Sequence, residues 1–134
     1  MTTDDPTGIV HAWMPFARTL GITVLTYTAD EVRARLPWDE TLCTSGGVLH
    51  GGVLMSLADS TGGACAFLNL PETATGTTTV ESKTNFLRAV RDGHVVSRSR
   101  PLHRGRTLIV VETDLTDDRE RLVAKVTQSQ LVLR

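Results

Sequence analysis

Apolar residues recur every three or four positions near the start of the chain. This spacing predicts a short amphipathic helix over residues 9–20, interrupted or begun near Pro15. Gly21 is the predicted end of that helix, because glycine readily leaves helical geometry. The apolar positions are Ile9, Trp13, Phe16, Ala17 and Leu20.

The pattern then changes to a period of two. Two strands are predicted over 22–27 and 31–36, and in the second of them apolar residues alternate with arginines. A turn at Ala29 and Asp30 would join the two strands as a hairpin. A polar loop rich in Gly, Thr and Asp follows at 37–47.

Residues 49–70 form the one long segment without a period of two, and they predict a buried helix. One stripe of this helix is mainly apolar: Leu54, Leu57, Ala58, Thr61, Cys65 and Leu68. The opposite stripe has small residues around a single carboxylate: Gly52, Ser56, Asp59, Gly63 and Ala66. Because glycine inside a helix costs about 1 kcal/mol relative to alanine, the pair Gly62-Gly63 predicts that something packs or binds close to the backbone there.

Runs rich in Val, Thr, Leu and Ile after Pro71 predict four strands, separated by short polar turns: 78–87, 94–103, 106–116 and 121–133. Short connections favour antiparallel neighbours. The elements together predict an α+β domain over 1–134, with a curled antiparallel sheet wrapped around one long central helix. The segments 80–87 and 128–134 are expected at sheet edges, so we expect a dimer that joins two sheets.

The composition is typical of one globular domain: 134 residues, 40% hydrophobic and 22% charged. No apolar run approaches the roughly 18 residues of a membrane span. The acidic start MTTDDPTG lacks the features of a signal peptide, so we expect a cytoplasmic protein with Cys43 and Cys65 reduced. The histidines and cysteines show no metal-ligand spacing, so no metal is expected.

The net charge of −1 conceals a basic segment. Six of the twelve arginines lie between residues 88 and 106, where Asp92 is the only acid. Such a segment can bind nucleic acid, an anionic membrane surface or the phosphates of a soluble ligand. The balanced net charge and the small number of aromatic residues argue against nucleic acid. A solvated strand face without specific function is the equally weighted alternative.

The segment from Thr44 to Asp59 holds the most informative chemistry. A loop that ends in His-Gly-Gly leads directly into the predicted helix, whose first N–H groups have no intrahelical partner. A carbonyl oxygen placed against the Gly51 N–H would be polarised. Asp59 lies eight residues farther on, about 12 Å along the helix axis, so both groups reach one carbon only if two helices from a symmetric dimer run antiparallel. Asp59 would then act as a base on water or as a nucleophile.

Structural roles compete with these chemical ones. Asp59 could be an ordinary solvent-facing residue, although the small residues around it argue for a site. For His50 we favour a loop imidazole that ties the loop to backbone carbonyls. A His–Cys pair finds little support, because Cys65 lies on the apolar stripe, where cysteine is usually plain core.

The string from Thr44 to Asp59, the run 79–89, the turn at Gly93 and the run 105–107 together resemble the hot dog fold acyl-CoA thioesterases of the PaaI type. The family pattern Asn-x-x-Gly-x-x-His-Gly-Gly, followed by an acid on the helix, matches at five positions: Gly47, His50, Gly51, Gly52 and Asp59. Thr44 stands where the family often has Asn, and its side chain has a shorter reach.

The resemblance implies hydrolysis of an acyl-CoA or aryl-acyl-CoA to a carboxylic acid and free CoA. It implies that the Gly51 N–H holds the thioester carbonyl, that Asp59 of the partner subunit activates water or attacks directly, that His50 supports the loop and that Thr79 places the water. Coenzyme A is part of the substrate, and no separate cofactor is implied. The implied assembly is a homodimer with sites at the interface, arranged as a dimer of dimers.

The resemblance also suggests where the substrate lies. Arg88, Arg104 and Arg106 are candidates for the CoA phosphates, since guanidinium groups match phosphate oxygens. The acyl slot is expected to include Met55, Phe67 and Leu87, with Thr44 and Gly52 as further substrate contacts. An acyl-CoA hydratase or dehydratase on the same fold and a non-catalytic acyl-CoA-binding module are the alternative functions.

Overall fold

A computed structural model describes residues 5–134; the first four residues of the acidic N-terminal segment lie outside the described range. The elements in chain order are α1 (Pro6–Trp13), α2 (Pro15–Leu20), β1 (Thr23–Tyr27), β2 (Val32–Pro37), a 3-10 turn (Glu40–Leu42), α3 (Gly51–Phe67), β3 (Gly76–Phe86), β4 (His94–Arg104), β5 (Leu108–Asp117) and β6 (Leu122–Leu133). Within this range, no helix combines the length and the apolar character needed to cross a bilayer.

The predicted N-terminal helix is two helices. Asp5 caps α1 by accepting the Thr7 N–H, so the helix begins at Pro6, earlier than the apolar spacing indicated. The interruption near Pro15 is confirmed, because Pro15 is the first residue of α2. The predicted end is also confirmed: Gly21 follows α2 in the left-handed conformation, with φ of 80°.

The six strands form one antiparallel sheet in the order β1-β2-β4-β5-β6-β3, which wraps around α3. The predicted α+β architecture, a curled antiparallel sheet around one long central helix, is confirmed. The helix is shorter at both ends than the apolar segment 49–70 suggested. The hairpin of β1 and β2 turns in the predicted place.

The prediction that β3 and β4 are neighbours is wrong. β3 pairs along its whole length with β6, from Gly76 opposite Leu133 to Phe86 opposite Ala124. The segment 87–93 can extend about 23 Å, which is enough to cross the three inter-strand spacings of about 4.8 Å between β3 and β4. A short connection therefore did not require pairing here. As a result β6 is an interior strand, and the predicted edge at 128–134 is also wrong; β1 and β3 are the edges.

The buried side chains form two apolar clusters, one on each side of a polar band beneath the middle of α3. In this band the Ser99 hydroxyl donates to Thr61 Oγ1 at 3.0 Å and lies 2.7 Å from Thr113 Oγ1. Thr61 in turn donates to the Leu57 carbonyl at 3.0 Å. These hydroxyls satisfy one another, as buried polar groups must. Thr61, the α3 residue in this band, is two residues from Asp59 along the helix.

Candidate active site

The loop before α3 is fixed by its own backbone and by two side chains. The Thr44 N–H donates to the Val48 carbonyl at 2.8 Å, and Gly46 and Gly47 have φ of 82° and 73°, values that favour glycine. Trp38 Nε1 donates to the Gly47 carbonyl at 3.1 Å, and an Arg91 Nη1 donates to the Gly46 carbonyl at 3.3 Å. This bonding sets the direction in which the chain enters α3.

His50 is the N-cap of α3. Its Nδ1 accepts the Gly52 N–H at 2.8 Å, which places the proton of the neutral ring on Nε2. The sequence predicts a bond from the imidazole to backbone carbonyls; the ring nitrogen instead accepts a backbone N–H, because the first amides of a helix lack acceptors. Within residues 5–134 the Gly51 N–H has no acceptor, so it remains an open donor at the positive end of the helix.

Phe86 lies directly beside this donor. A Cβ placed on Gly51 would meet the Phe86 ring at 3.2 Å. The C-terminal end of β3 therefore adjoins the start of α3, while Thr79, farther back along β3, lies beside the middle of α3. This relation between helix and strand sets the geometry of any symmetric pairing through β3.

Asp59 is exposed on the outward face of α3, and one of its two oxygens is anchored. Thr79 Oγ1 donates to Asp59 Oδ1 at 3.0 Å, and Gln128 Nε2 donates to the same oxygen at 3.2 Å. Gln130 Nε2 donates to Thr79 Oγ1 at 2.6 Å. In the part of the chain that the structure describes, Oδ2 has no partner. The carboxylate is thus fixed in orientation, with one free oxygen.

Sequence reasoning missed Gln128 and Gln130, which are each 1% exposed. They occupy inward positions of β6, where a period of two predicts apolar side chains, between Val126 and Val132. Two glutamines at alternate positions that otherwise hold apolar residues were the sequence signal that could have identified them. The close packing predicted at Gly62 is confirmed, since a methyl group there would overlap the Gln128 amide oxygen. Among residues 5–134, a Cβ on Gly63 would meet only Met14, at 4.0 Å.

A cavity of about 480 Å³ begins at Asp59 and Thr79 and extends between α1, α2, α3 and the first half of β3. Its walls are largely apolar and aromatic: Ile9, Trp13, Met14, Phe16, Tyr27 and Phe67. Trp13 and Phe67 make an edge-to-face contact with ring centroids 4.6 Å apart. Of the predicted slot residues, Phe67 lines this cavity, while Met55 and Leu87 lie outside it and are exposed.

The polar lining of the cavity consists of the Asp59 carboxylate, the Gln130 amide, the Tyr27 phenol and five hydroxyl side chains: Ser60, Thr75, Thr77, Thr78 and Thr79. Burial raises the pKa of Tyr27, so this side chain is neutral at physiological pH. The cavity therefore suits an uncharged, mainly apolar group, with a carboxylate at its mouth.

The basic segment is not one patch in a single chain. Arg88 and Arg91 precede β4, whereas Arg104 and Arg106 follow or end it, about 33 Å away along the strand. Arg104 is paired with Asp30 at 2.7 Å, and Arg98 is paired with Glu31. Because β4 is extended, the arginines before it and those at its end lie far apart although they are close in sequence. Among the three predicted phosphate ligands, Arg88 and Arg106 have no ion pair within residues 5–134.

Neither cysteine is hydrogen-bonded to His50 within residues 5–134. Cys65 lies fifteen residues farther along, about 22 Å by helical rise, on the buried face of α3. Burial raises the pKa of the Cys65 thiol to about 11, which keeps it protonated and unreactive. The Cys43 thiol donates to the Asp39 carbonyl at 3.4 Å, in the loop before the helix. The Asp59 carboxylate and the Gly51 amide are therefore the candidate chemical groups of this segment.

The fold and this site define a class of protein. The chain belongs to the thioesterase superfamily, whose family model matches residues 46–124 and thus covers the glycine loop, α3 and most of the sheet. The resemblance to hot dog fold thioesterases is confirmed.

Solved structures of similar proteins support this membership. Thioesterase HI1161 from Haemophilus influenzae is 27% identical, with a TM-score of 0.88, and the match covers 100% of this chain and 92% of that one. A mutant of thioesterase PA1618 from Pseudomonas aeruginosa is 26% identical, with a TM-score of 0.88 and coverage of 98% and 96%. A thioesterase family protein from Silicibacter pomeroyi is 31% identical, with a TM-score of 0.85 and coverage of 95% of both chains.

Proposed function

We propose that this protein is an acyl-CoA thioesterase that hydrolyses an apolar acyl-CoA to a carboxylic acid and free CoA. The observation that carries this proposal is the anchored Asp59 carboxylate, which lines the aromatic cavity and whose Oδ2 has no partner within residues 5–134. A fixed carboxylate beside a slot for an uncharged group is the arrangement that general-base hydrolysis requires. Membership of the thioesterase superfamily supports the reaction class.

The proposal requires two copies of the chain. Gly51 and Asp59 are about 12 Å apart along α3, so one chain cannot bring both groups to one carbon. Met55 and Asp59 are exposed on α3 within residues 5–134, and β3 is an edge strand with exposed apolar side chains: Val80, Phe86 and the adjoining Leu87. Edges of this kind favour pairing with another strand.

An antiparallel pairing of β3 with its own copy supplies the missing geometry. If the two-fold axis passes near Ser82, Phe86 of one copy lies opposite Thr78 of the other. Phe86 adjoins Gly51, and Thr79 bonds Asp59. This pairing therefore brings the open amide of one copy to the carboxylate of the other, and it creates two equivalent sites.

The reaction then follows from the groups present. Asp59 Oδ2 accepts a proton from water as the water oxygen bonds to the thioester carbonyl carbon. The carbonyl oxygen gains negative charge against the Gly51 N–H of the second copy. The C–S bond breaks, and the CoA thiolate takes the proton from Asp59. Thr79 and Gln128 hold the carboxylate during these steps, and His50 holds the first turn of α3 through its bond to Gly52.

The acyl group occupies the cavity, and its walls indicate an aryl-acyl or medium-chain acyl group. Trp13, Phe16 and Phe67 offer ring faces and edges to such a group. Arg88 and Arg106 are free of ion pairs within residues 5–134 and are the better candidates for CoA phosphates, whereas Arg104 is held by Asp30. Thr44 lies in the exposed loop before α3 and is a candidate contact for the pantetheine arm.

Release of free thiol from a panel of acyl-CoAs tests the activity. The panel contains acetyl-, hexanoyl-, phenylacetyl- and hydroxybenzoyl-CoA, and the wild type is compared with Asp59→Asn. We expect thiol release by the wild type, fastest with the larger apolar groups, and loss of most of it in the variant. Binding of all four without thiol release would contradict the proposal and favour a binding module.

Cysteine cross-linking tests the proposed pairing. Ser82→Cys in a Cys43→Ser background places two thiols across the two-fold axis, at the strand separation a disulfide can span. We expect a covalent dimer under mild oxidation. Thr127→Cys, on the interior strand β6, is the matched control and should stay monomeric on a denaturing gel. Equal cross-linking of both variants would contradict pairing through β3.

A further inference from the structure

Two buried amides interrupt the apolar inward face of β6. Gln128 and Gln130 are each 1% exposed, and the inward positions on either side of them are Val126 and Val132. Burying an amide costs free energy unless its polar atoms find partners. Apolar side chains would stabilise this part of the core at lower cost, so the amides need another explanation.

Both amides act on the same oxygen of Asp59. Gln128 Nε2 donates to Oδ1 directly, and Gln130 Nε2 donates to Thr79 Oγ1, which donates to Oδ1. An NH2 group can only donate, so the Thr79 oxygen must accept this bond, and its own proton is left for Asp59. The bond from Gln130 therefore orients the Thr79 hydroxyl so that its proton points to Asp59.

Gly62 provides the space for this arrangement. Any larger residue would overlap the Gln128 amide oxygen, and glycine within α3 carries a cost of about 1 kcal/mol relative to alanine. The amide oxygen itself is buried and has no hydrogen-bond partner among residues 5–134. Two unfavourable features therefore occur where the Gln128 NH2 contacts Asp59: a glycine within α3 and a buried amide oxygen without a partner among residues 5–134.

We infer that Gln128 and Gln130 are positioning residues that orient Asp59 through Oδ1 and so select Oδ2 as the oxygen that receives the proton. Gln128 acts by direct contact, Gln130 acts only through Thr79, and Gly62 makes room for Gln128. This inference rests on the proposed thioesterase function and deepens it.

A double-mutant cycle tests the relay through Thr79. With an acyl-CoA that the wild type hydrolyses, we expect Gln130→Met to lower kcat about tenfold or more, because misplacing a catalytic group by about 1 Å can cost up to about 100-fold. KM should stay within about twofold. Thr79→Val should have a similar effect, Thr79→Ser should restore activity, and the double variant should be no worse than Thr79→Val alone.

The pH profile tests the direct contact. Gln128→Glu keeps the shape of the side chain but places a second negative charge beside Asp59, and like charges oppose ionisation, so the acid limb of the profile of kcat/KM should move to higher pH. Gln128→Met removes the donor without adding charge and should mainly lower kcat. Ser129→Ala, which lies between the two glutamines and faces outward, is the control and should leave both kcat and the profile unchanged.

Additive losses in the cycle, or an unchanged kcat in a folded Gln130→Met variant, would overturn the inference. Thr79 is exposed on an edge strand, so its variants remain informative even if a core glutamine variant fails to fold. Activity of the wild type separates the two levels. A wild type that is active while the glutamine variants match it refutes the positioning role alone, whereas a wild type inactive on every acyl-CoA refutes the function and the positioning role together.

Discussion

The inward and outward faces of α3 differ in almost every property. Inward, Leu57, Ala58 and Cys65 have no exposed surface and pack against the sheet. Outward, Asp59 is anchored by three polar side chains, directly or through Thr79, but is left open to the cavity. The inward face obeys the hydrophobic period and stabilises the fold, while the outward face departs from it and holds the proposed catalytic carboxylate. Substitutions on the two faces should therefore separate stability from activity.

The largest effect is expected at Asp59. Asp59→Asn keeps the shape but removes the base, so kcat for acyl-CoA hydrolysis should fall about 100-fold or more, in line with the ~10²–10⁴ that a positioned base contributes. The melting temperature should change little, because the side chain is exposed. Steady-state kinetics and thermal unfolding of the same preparation check this. Activity within a factor of about three of the wild type would remove Asp59 from the mechanism.

The reverse result is expected at Leu57 on the inward face. Leu57→Ala leaves a cavity in a fully buried position and should lower the free energy of unfolding by about 2–5 kcal/mol. Activity per folded molecule should be retained. Urea unfolding measures the loss, with Leu102→Ala as the control because that leucine is 63% exposed on β4. Similar losses in the two variants would contradict the assignment of the core.

A smaller effect distinguishes the adjacent glycines of α3. Gly62→Ala forces the Gln128 amide to move and should lower both the free energy of unfolding and kcat. Within a single chain, the same change at Gly63 meets only the end of Met14 at 4.0 Å and should cost the fold much less. Thermal unfolding of the two variants side by side measures the difference. Equal melting temperatures of Gly62→Ala and Gly63→Ala would mean that the Gln128 amide does not pack against Gly62.

The smallest expected effect is chemical and concerns the two thiols. Burial raises the pKa of Cys65 to about 11, so at pH 8 that thiol stays protonated and enclosed under α3. Cys43 is only partly buried, in the loop before the helix. A disulfide reagent should therefore modify one thiol per native chain, and both once the protein is unfolded in denaturant. Rapid labelling of both native thiols would show that the inward face opens easily.

The helix, the loop and the outward carboxylate could be predicted because their signals are local. A helical stripe identifies α3, and a capping position followed by two glycines marks its start. The apolar stripe is confirmed at Leu54 through Cys65, but Ala66, which we expected on the outward stripe, is fully buried. Near the C-terminal end of α3 the consecutive residues Ala64, Cys65 and Ala66 are all buried, so burial there extends beyond a single stripe.

The strand order and the anchoring amides could not be obtained in the same way. Pairing of β3 with β6 depends on contacts between segments some fifty residues apart, as between Thr79 and Gln130. Trp13 and Phe16 reach the cavity from α1 and α2, and nearness in sequence to the motif does not indicate this; the predicted slot residues Met55 and Leu87 lie outside that cavity. The arginines were grouped by nearness in sequence, and the extended β4 separates them.

Mixing two inactive variants tests the central claim most directly. Asp59→Asn lacks the carboxylate, and Gly51→Pro lacks the amide N–H while retaining a residue suited to the first helical position; Gly51→Ala, which keeps the N–H, is its control. Unfolding and refolding the two together yields mixed dimers in which one of two sites combines an intact Gly51 and an intact Asp59. The account predicts that an equimolar mixture recovers about a quarter of wild-type thiol release. A mixture as inactive as its two components would contradict a site shared between copies.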